Sequence, residues 1–133
     1  MEEINAIILK YNLLRESKTS DVHEYQDIRD DLSLARFNFC FYTVPNFRAK
    51  KDEAEHERKL AYARAKIQNR SNTGKGKQFS STAIADEQAI LDIADYYKAE
   101  RETTKAYMEV SAVCSTLDAI INSVASKLKT LGV

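Results

Sequence analysis

The sequence predicts an all-α protein: a helical hairpin with a long C-terminal coiled-coil-like helix, assembling into an oligomer. Three observations lead there. Only three Gly and one Pro interrupt 133 residues, and none falls between Gly76 and Gly132. Charged residues make up 30% of the chain, a mixture that suits long helices with wet outer faces and suits β-sandwiches badly. Finally, Tyr107, Val110, Cys114, Leu117, Ile121, Val124, Leu128 and Leu131 alternate spacings of three and four, the a/d seam of a supercoiled helix.

Taken in order, residues 4–14 place Ile4, Ile7, Ile8, Tyr11 and Leu14 at helical spacing and predict a short amphipathic helix. Glu16 to Ser20 is polar. Asp21 is an N-cap for a second helix carrying Val22, Tyr25, Ile28 and Leu32, on which acids also gather. The run from Arg36 to Val44 reads two ways: Phe37, Phe39 and Phe41 alternate like a strand, whereas the context is the end of a helix. The helix is the reading adopted, and Pro45 is expected to end it. Phe47 to about Arg70 forms a third helix, apolar mainly through Ala, which leans on a partner along a narrow stripe. Ser71 to Lys77 is the one clear loop, with Gly74 and Gly76 in it.

The chain thus reads as one helical domain over 1–133: N-terminal helices over 1–44, a basic helix over 46–70, a basic loop over 71–79 and a long oligomerisation helix over 80–131. Tyr107, Val110, Cys114, Leu117, Ile121, Val124 and Leu128 are the oligomerisation residues. Val113 and Ile120 widen the stripe, so several helices converge on it. One small chain is not expected to cover both this seam and the Phe-rich segment, and self-association is the remedy.

Several chemistries are absent from the pattern. Gly74-Lys75-Gly76-Lys77 lacks the Gly spacing of a Walker A loop. Glu53-x-x-His56 is half of a di-iron carboxylate motif that needs two such halves, and His23 has no matching Glu. Cys40 and Cys114 have no metal-like spacing and read as reduced thiols. No catalytic residue, metal ligand or cofactor is assigned, and no enzyme is expected. There is no run of 18 apolar residues, so no membrane association is expected. The acidic start Met1-Glu2-Glu3 is unlike a leader peptide, and the expected location is cytoplasmic, in a host cell if phage-encoded.

Charge carries the functional signal. From Arg58 through Ala85 there are seven Lys or Arg and no acid, while the other 105 residues hold all 20 acids against 13 bases. Such a stretch is either a solvated helix face or a footprint for a polyanion, nucleic acid first among them. On the helix, Lys59, Lys66 and Arg70 share one side, Arg64 lies to the flank, and Arg58 opens the run. The loop adds Lys75 and Lys77, with Gly backbone amides available to a phosphate. Tyr62 and Phe79 lie among these bases, where an aromatic can stack on an unpaired base. Against that, Tyr62 can pack on a neighbouring helix, and Phe79 can staple the helix it precedes. No helix-turn-helix, zinc-finger or RNP pattern appears, which favours backbone-directed binding of single strands by Arg58, Lys59, Tyr62, Arg64, Lys66, Arg70, Lys75 and Lys77.

The residue order over about 35–131 resembles the phage recombination mediator UvsY family. The resemblance rests on Leu60-Ala61-Tyr62-Ala63-Arg64-Ala65-Lys66, then Gly74-Lys75-Gly76-Lys77, then Ala85-Asp86-Glu87-Gln88-Ala89-Ile90-Leu91 and Cys114-Ser115-Thr116-Leu117-Asp118-Ala119-Ile120. It implies a ring-forming homo-oligomer that binds single-stranded DNA and hands it from a single-stranded DNA-binding protein to a RecA-like recombinase, in DNA recombination and repair. Arg64 matches the family's basic Arg, and Lys75 and Lys77 match its basic loop. Tyr62 departs from the pattern, standing where the family tends to have Lys. The rival reading is a structural coiled-coil assembly or scaffold protein without a nucleic-acid role, whose basic loop docks an acidic surface such as that of residues 16–31. An RNA-binding or nucleoid-associated role is a third.

Overall fold

The computed structural model describes residues 1–17 and 21–133, and these are helical almost throughout. Residues 18–20, the end of the expected polar connection, lie outside the described residues. Helix α1 (Glu2–Glu16) carries Glu2 and Glu3 in its first turn and Arg15 in its last, each charge opposing the nearby end of the helix dipole. Asp21 caps α2 (Val22–Asn38) as expected, its carboxylate accepting from the backbone N–H of His23 at 2.9 Å and of Glu24 at 3.4 Å.

The aromatic run is helical, with a π-helical turn over Phe39–Thr43. Its strand-like alternation has a helical cause. Phe37 and Phe41 stand four apart on one face with rings stacked at 5.5 Å, while Phe39 points the other way and is buried. Pro45 does not end the helix. Helix α3 (Val44–Ser71) runs through it, and Val44 keeps α-helical angles of −59° and −46°. The Val44 N–H donates to the Phe39 carbonyl, five residues back. This wider turn makes room for a proline ring that would otherwise meet the carbonyl four residues before it, and Pro45 has no N–H to leave orphaned.

After the loop, Ser81 caps α4 (Thr82–Asp92), accepting from the Ile84 N–H at 3.3 Å. The single helix expected over 80–131 is interrupted at Ile93, which takes φ −109° and ψ 25°, and α5 (Ala94–Thr130) follows. No Gly or Pro marks that break. Gly132, at φ +83°, turns the chain after α5.

Contacts divide the chain into two compact units rather than the one its length suggests: residues 1–45 with 109–133, and residues 46–108. In the first, Ile4, Tyr11 and Leu14 of α1, Tyr25, Ile28, Leu32 and Ala35 of α2, and Phe39 join Leu117, Val124 and Leu128 of α5 in one core. Val110, Cys114 and Ile121 pack against it, half-buried. The seam assigned to oligomerisation is therefore largely occupied within the chain, because α1 and α2 supply enough apolar surface to cover it. Arg36 forms a two-pronged ion pair with Asp118 in the same unit. Burial and a hydrogen bond with Cys40 push the Cys114 thiol up to about 12, so it stays protonated and unreactive at neutral pH. By length and composition alone α5 is apolar enough to cross a membrane, with a mean hydropathy of 1.2 over 18 residues.

The second unit is built from smaller pieces. Its buried residues are Ala54, Asn69, Phe79, Ala85, Ala89 and Ile93. Alanine brings helices close, and here the spacing is short enough for Asn69 on α3 to donate to the Ala85 carbonyl at 3.2 Å and to the Asp92 carboxylate at 3.1 Å on α4. Tyr107, the one oligomerisation residue in this unit, receives hydrogen bonds from Arg48 at 3.1 and 3.3 Å on its hydroxyl.

Candidate nucleic-acid interface

The structure sorts the seven clustered cations into two groups. Arg58 lies over the Tyr97 ring and donates to Glu100 at 2.6 and 3.2 Å, with both side chains less than a quarter exposed. Arg70 donates two bonds to Asp86 at 2.9 and 2.7 Å. Lys59 pairs with Glu55 one turn earlier at 3.0 Å. In each case the hydrogen bond from the base holds the carboxyl below its ordinary pKa: Glu100 by Arg58, Asp86 by Arg70, Glu55 by Lys59. Arg58 and Arg70 thus tie α3 to α5 and α4 through ion pairs. Lys59 is exposed but already neutralised.

Arg64, Lys66, Lys75 and Lys77 form the second group. Among the described residues none of them has a carboxylate ion-pair partner within 4 Å. Arg64, Lys75 and Lys77 are exposed, and Lys66 is half-buried with its ammonium 5.0 Å from the centre of the Tyr62 ring. That cation covers one face of Tyr62, which sits half-buried. Phe79 is buried, so of its two readings the packing one holds and it offers no stacking surface.

The loop that presents Lys75 and Lys77 is closed on itself. The Gly74 N–H donates to the Phe79 carbonyl at 2.9 Å, and the Phe79 N–H to the Asn72 carbonyl at 3.0 Å. Lys77 N–H donates to the Gly74 carbonyl at 3.1 Å, and Thr73 Oγ1 to the Asn69 carbonyl at 3.0 Å. Gly74 and Gly76 take φ of +138° and +75°, angles that L side chains rarely adopt. The expectation of free Gly amides is corrected accordingly. Gly74 and Lys77 spend theirs inside the loop, whereas those of Lys75, Gly76 and Gln78 have no backbone acceptor among the described residues.

Counting along the chain could not find Glu100 and Asp86, which lie outside the acid-free window and are delivered by folding. Glu55 was legible, four residues before Lys59. Asn69, the buried residue that fastens the end of α3 to α4, gave no signal beyond being a polar residue in a helix. No group of three potential metal-binding side chains occurs among the described residues. No family model matches this chain, and no curated protein or solved structure matches it significantly.

Proposed function

We propose that the protein is a non-catalytic, sequence-independent single-stranded DNA-binding mediator. It works as a homo-oligomer that places a RecA-like recombinase on strands held by a single-stranded DNA-binding protein. One observation carries the reading. Among the described residues four bases, Arg64, Lys66, Lys75 and Lys77, on the end of one helix and the loop after it, have no carboxylate within 4 Å, while the other three of the cluster are ion-paired. A preformed loop with two Lys at its tip suits a sugar–phosphate backbone, whose contacts are electrostatic and indifferent to sequence. The resemblance in residue order supplies the recombination setting and the ring.

Fluorescence anisotropy with a labelled oligo-dT tests this. Four cations per subunit predict a log–log salt slope of about −3 for single strands. The combined R64A/K66A/K75A/K77A variant should lose most of the affinity and flatten the slope, with its helical circular dichroism unchanged. Equal affinity in that variant overturns the reading. Loading is tested by recombinase ATPase on strands pre-coated with a single-stranded DNA-binding protein, where the wild-type chain should shorten the lag.

The scaffold reading is favoured by a different observation, the exposed aromatic face of Phe37 at the end of α2 and Phe41 in the π-helical turn after it. It requires no oligonucleotide binding even at low salt.

A further inference from the structure

We infer that the groove between α1 and α2 receives a basic amphipathic helix of a different protein. This goes beyond the DNA reading, does not depend on it and uses none of its cations. The groove also lies mostly in residues 1–34, outside the residue order that carries the family resemblance.

Both helices belong to the unit of residues 1–45 with 109–133. Three hollows of about 420, 340 and 240 Å³ follow one another between them. Lys10 lines the first and second, and Glu3 the second and third, so the three make one channel. Helix α1 lines it with Glu3, Ile7, Lys10, Leu14 and Ser17, and α2 with Glu24, Asp27, Asp31, Leu34 and Asn38. Both series step by threes and fours, which is a single helix face. From Glu3 to Ser17 the channel runs about 21 Å, room for about four turns of a third helix.

The chemistry of the lining says what that helix must be. Leu14, Ile28 and Ala35 form a buried apolar floor that belongs to the core, with Ile7 half-buried beside them. Leu13 and Leu34 stand at the rim 58% and 61% exposed, so an apolar stripe laid in the groove would cover them. Glu3, Glu24, Asp27 and Asp31 are exposed and face one base, Lys10. Among the described residues none of these five has an ion-pair partner within 4 Å. An occupant flanked by Lys or Arg meets opposite charge, whereas an acidic helix, a nucleic acid or an anionic lipid surface meets like charge. Three of the four acids lie on α2 between Glu24 and Asp31, and Tyr42 lines the far end. The bases of the occupant therefore gather towards the start of α2. Within the chain the basic helix α3 commits Arg58 and Arg70 to α5 and α4, so the bases come from another protein.

Fluorescence anisotropy on the full chain tests this, with a labelled helical peptide of Leu and Lys about 18 residues long, its Leu spaced by threes and fours. It should bind one to one and weaken as salt rises. E24Q/D27N/D31N should weaken binding about tenfold, and L13S/L34S about tenfold or more. D52N/E53Q/E57Q, which removes acids from α3, should bind as the wild type does. R64A/K66A/K75A/K77A should also bind the peptide normally, and the groove variants should keep their oligo-dT affinity, so that failure here and failure of the DNA reading are told apart. The inference is overturned if the peptide does not bind, if a Leu and Glu peptide of the same pattern binds as tightly, or if either groove variant keeps wild-type affinity. It is equally overturned if the α3 variant loses as much as the groove variants. Sedimentation velocity covers the remaining occupant: a peptide that binds only by splitting an oligomer of this chain would put a second copy in the groove and overturn the inference too. Circular dichroism checks each fold; should L13S/L34S lose helicity, L34S alone decides by the same criterion.

Discussion

In the unit formed by residues 1–45 and 109–133, the interior is filled by Leu32, Leu117, Val124 and Leu128, with Tyr11, Tyr25 and Phe39 around them. In the unit of residues 46–108 the fully buried residues are Ala85 and Ala89, and the fastenings are Asn69, Arg58–Glu100 and Arg70–Asp86. The first is held by apolar volume, the second by close approach and oriented polar groups. The difference shows where cations can be spared. A unit built on ion pairs commits some of its bases to architecture, and only the remainder can meet a ligand.

Four substitutions sharpen or break this contrast. The largest effect is expected for Leu32→Ala, which removes a fully buried side chain and should cost about 3 kcal/mol in denaturant unfolding. A loss below about 1 kcal/mol would mean the first core is loosely filled. Ala89→Leu probes the opposite regime: overpacking a close contact should cost about 2 kcal/mol, and a neutral result would remove close approach from the account. Asn69→Ala leaves the Ala85 carbonyl and the Asp92 carboxylate without their buried donor and should cost about 1–2 kcal/mol.

The smallest effect, and the one that separates the units by pH, belongs to Glu100→Gln at about 1 kcal/mol near neutrality. The hydrogen bond from Arg58 lowers the Glu100 pKa from its ordinary 4.5. Its contribution is thus complete above that value and is lost as pH falls through the lower folded one. Wild-type stability should fall in that acid window more steeply than that of Glu100→Gln. Parallel curves for the two proteins would show that the pair adds nothing.

Much of this architecture could be read from residue order. The three–four spacing of Leu117, Ile121, Val124 and Leu128 announced a core helix, and Asp21 announced the start of α2, because both signals are local. The partner of that core helix was not local. Nothing in the seam itself distinguishes a neighbouring molecule from α1 and α2 a hundred residues earlier, which are what packs on Leu117, Val124 and Leu128 within the chain. Ile93 breaks the last helix without Gly or Pro, so only its backbone angles reveal the break. Of the clustered bases, Arg58 and Arg70 find their acids through the fold, and chain order does not show that.

The closed loop has a thermodynamic consequence. The Gly74 N–H already holds the Phe79 carbonyl and the Phe79 N–H the Asn72 carbonyl, so under the proposed role capture of a strand freezes few additional torsions there, and most of the ordering entropy falls on the polynucleotide. Grip should then depend on how stiff that strand is: a flexible oligo-dT loses more freedom than a stacked oligo-dA, and the two can be ranked by calorimetry.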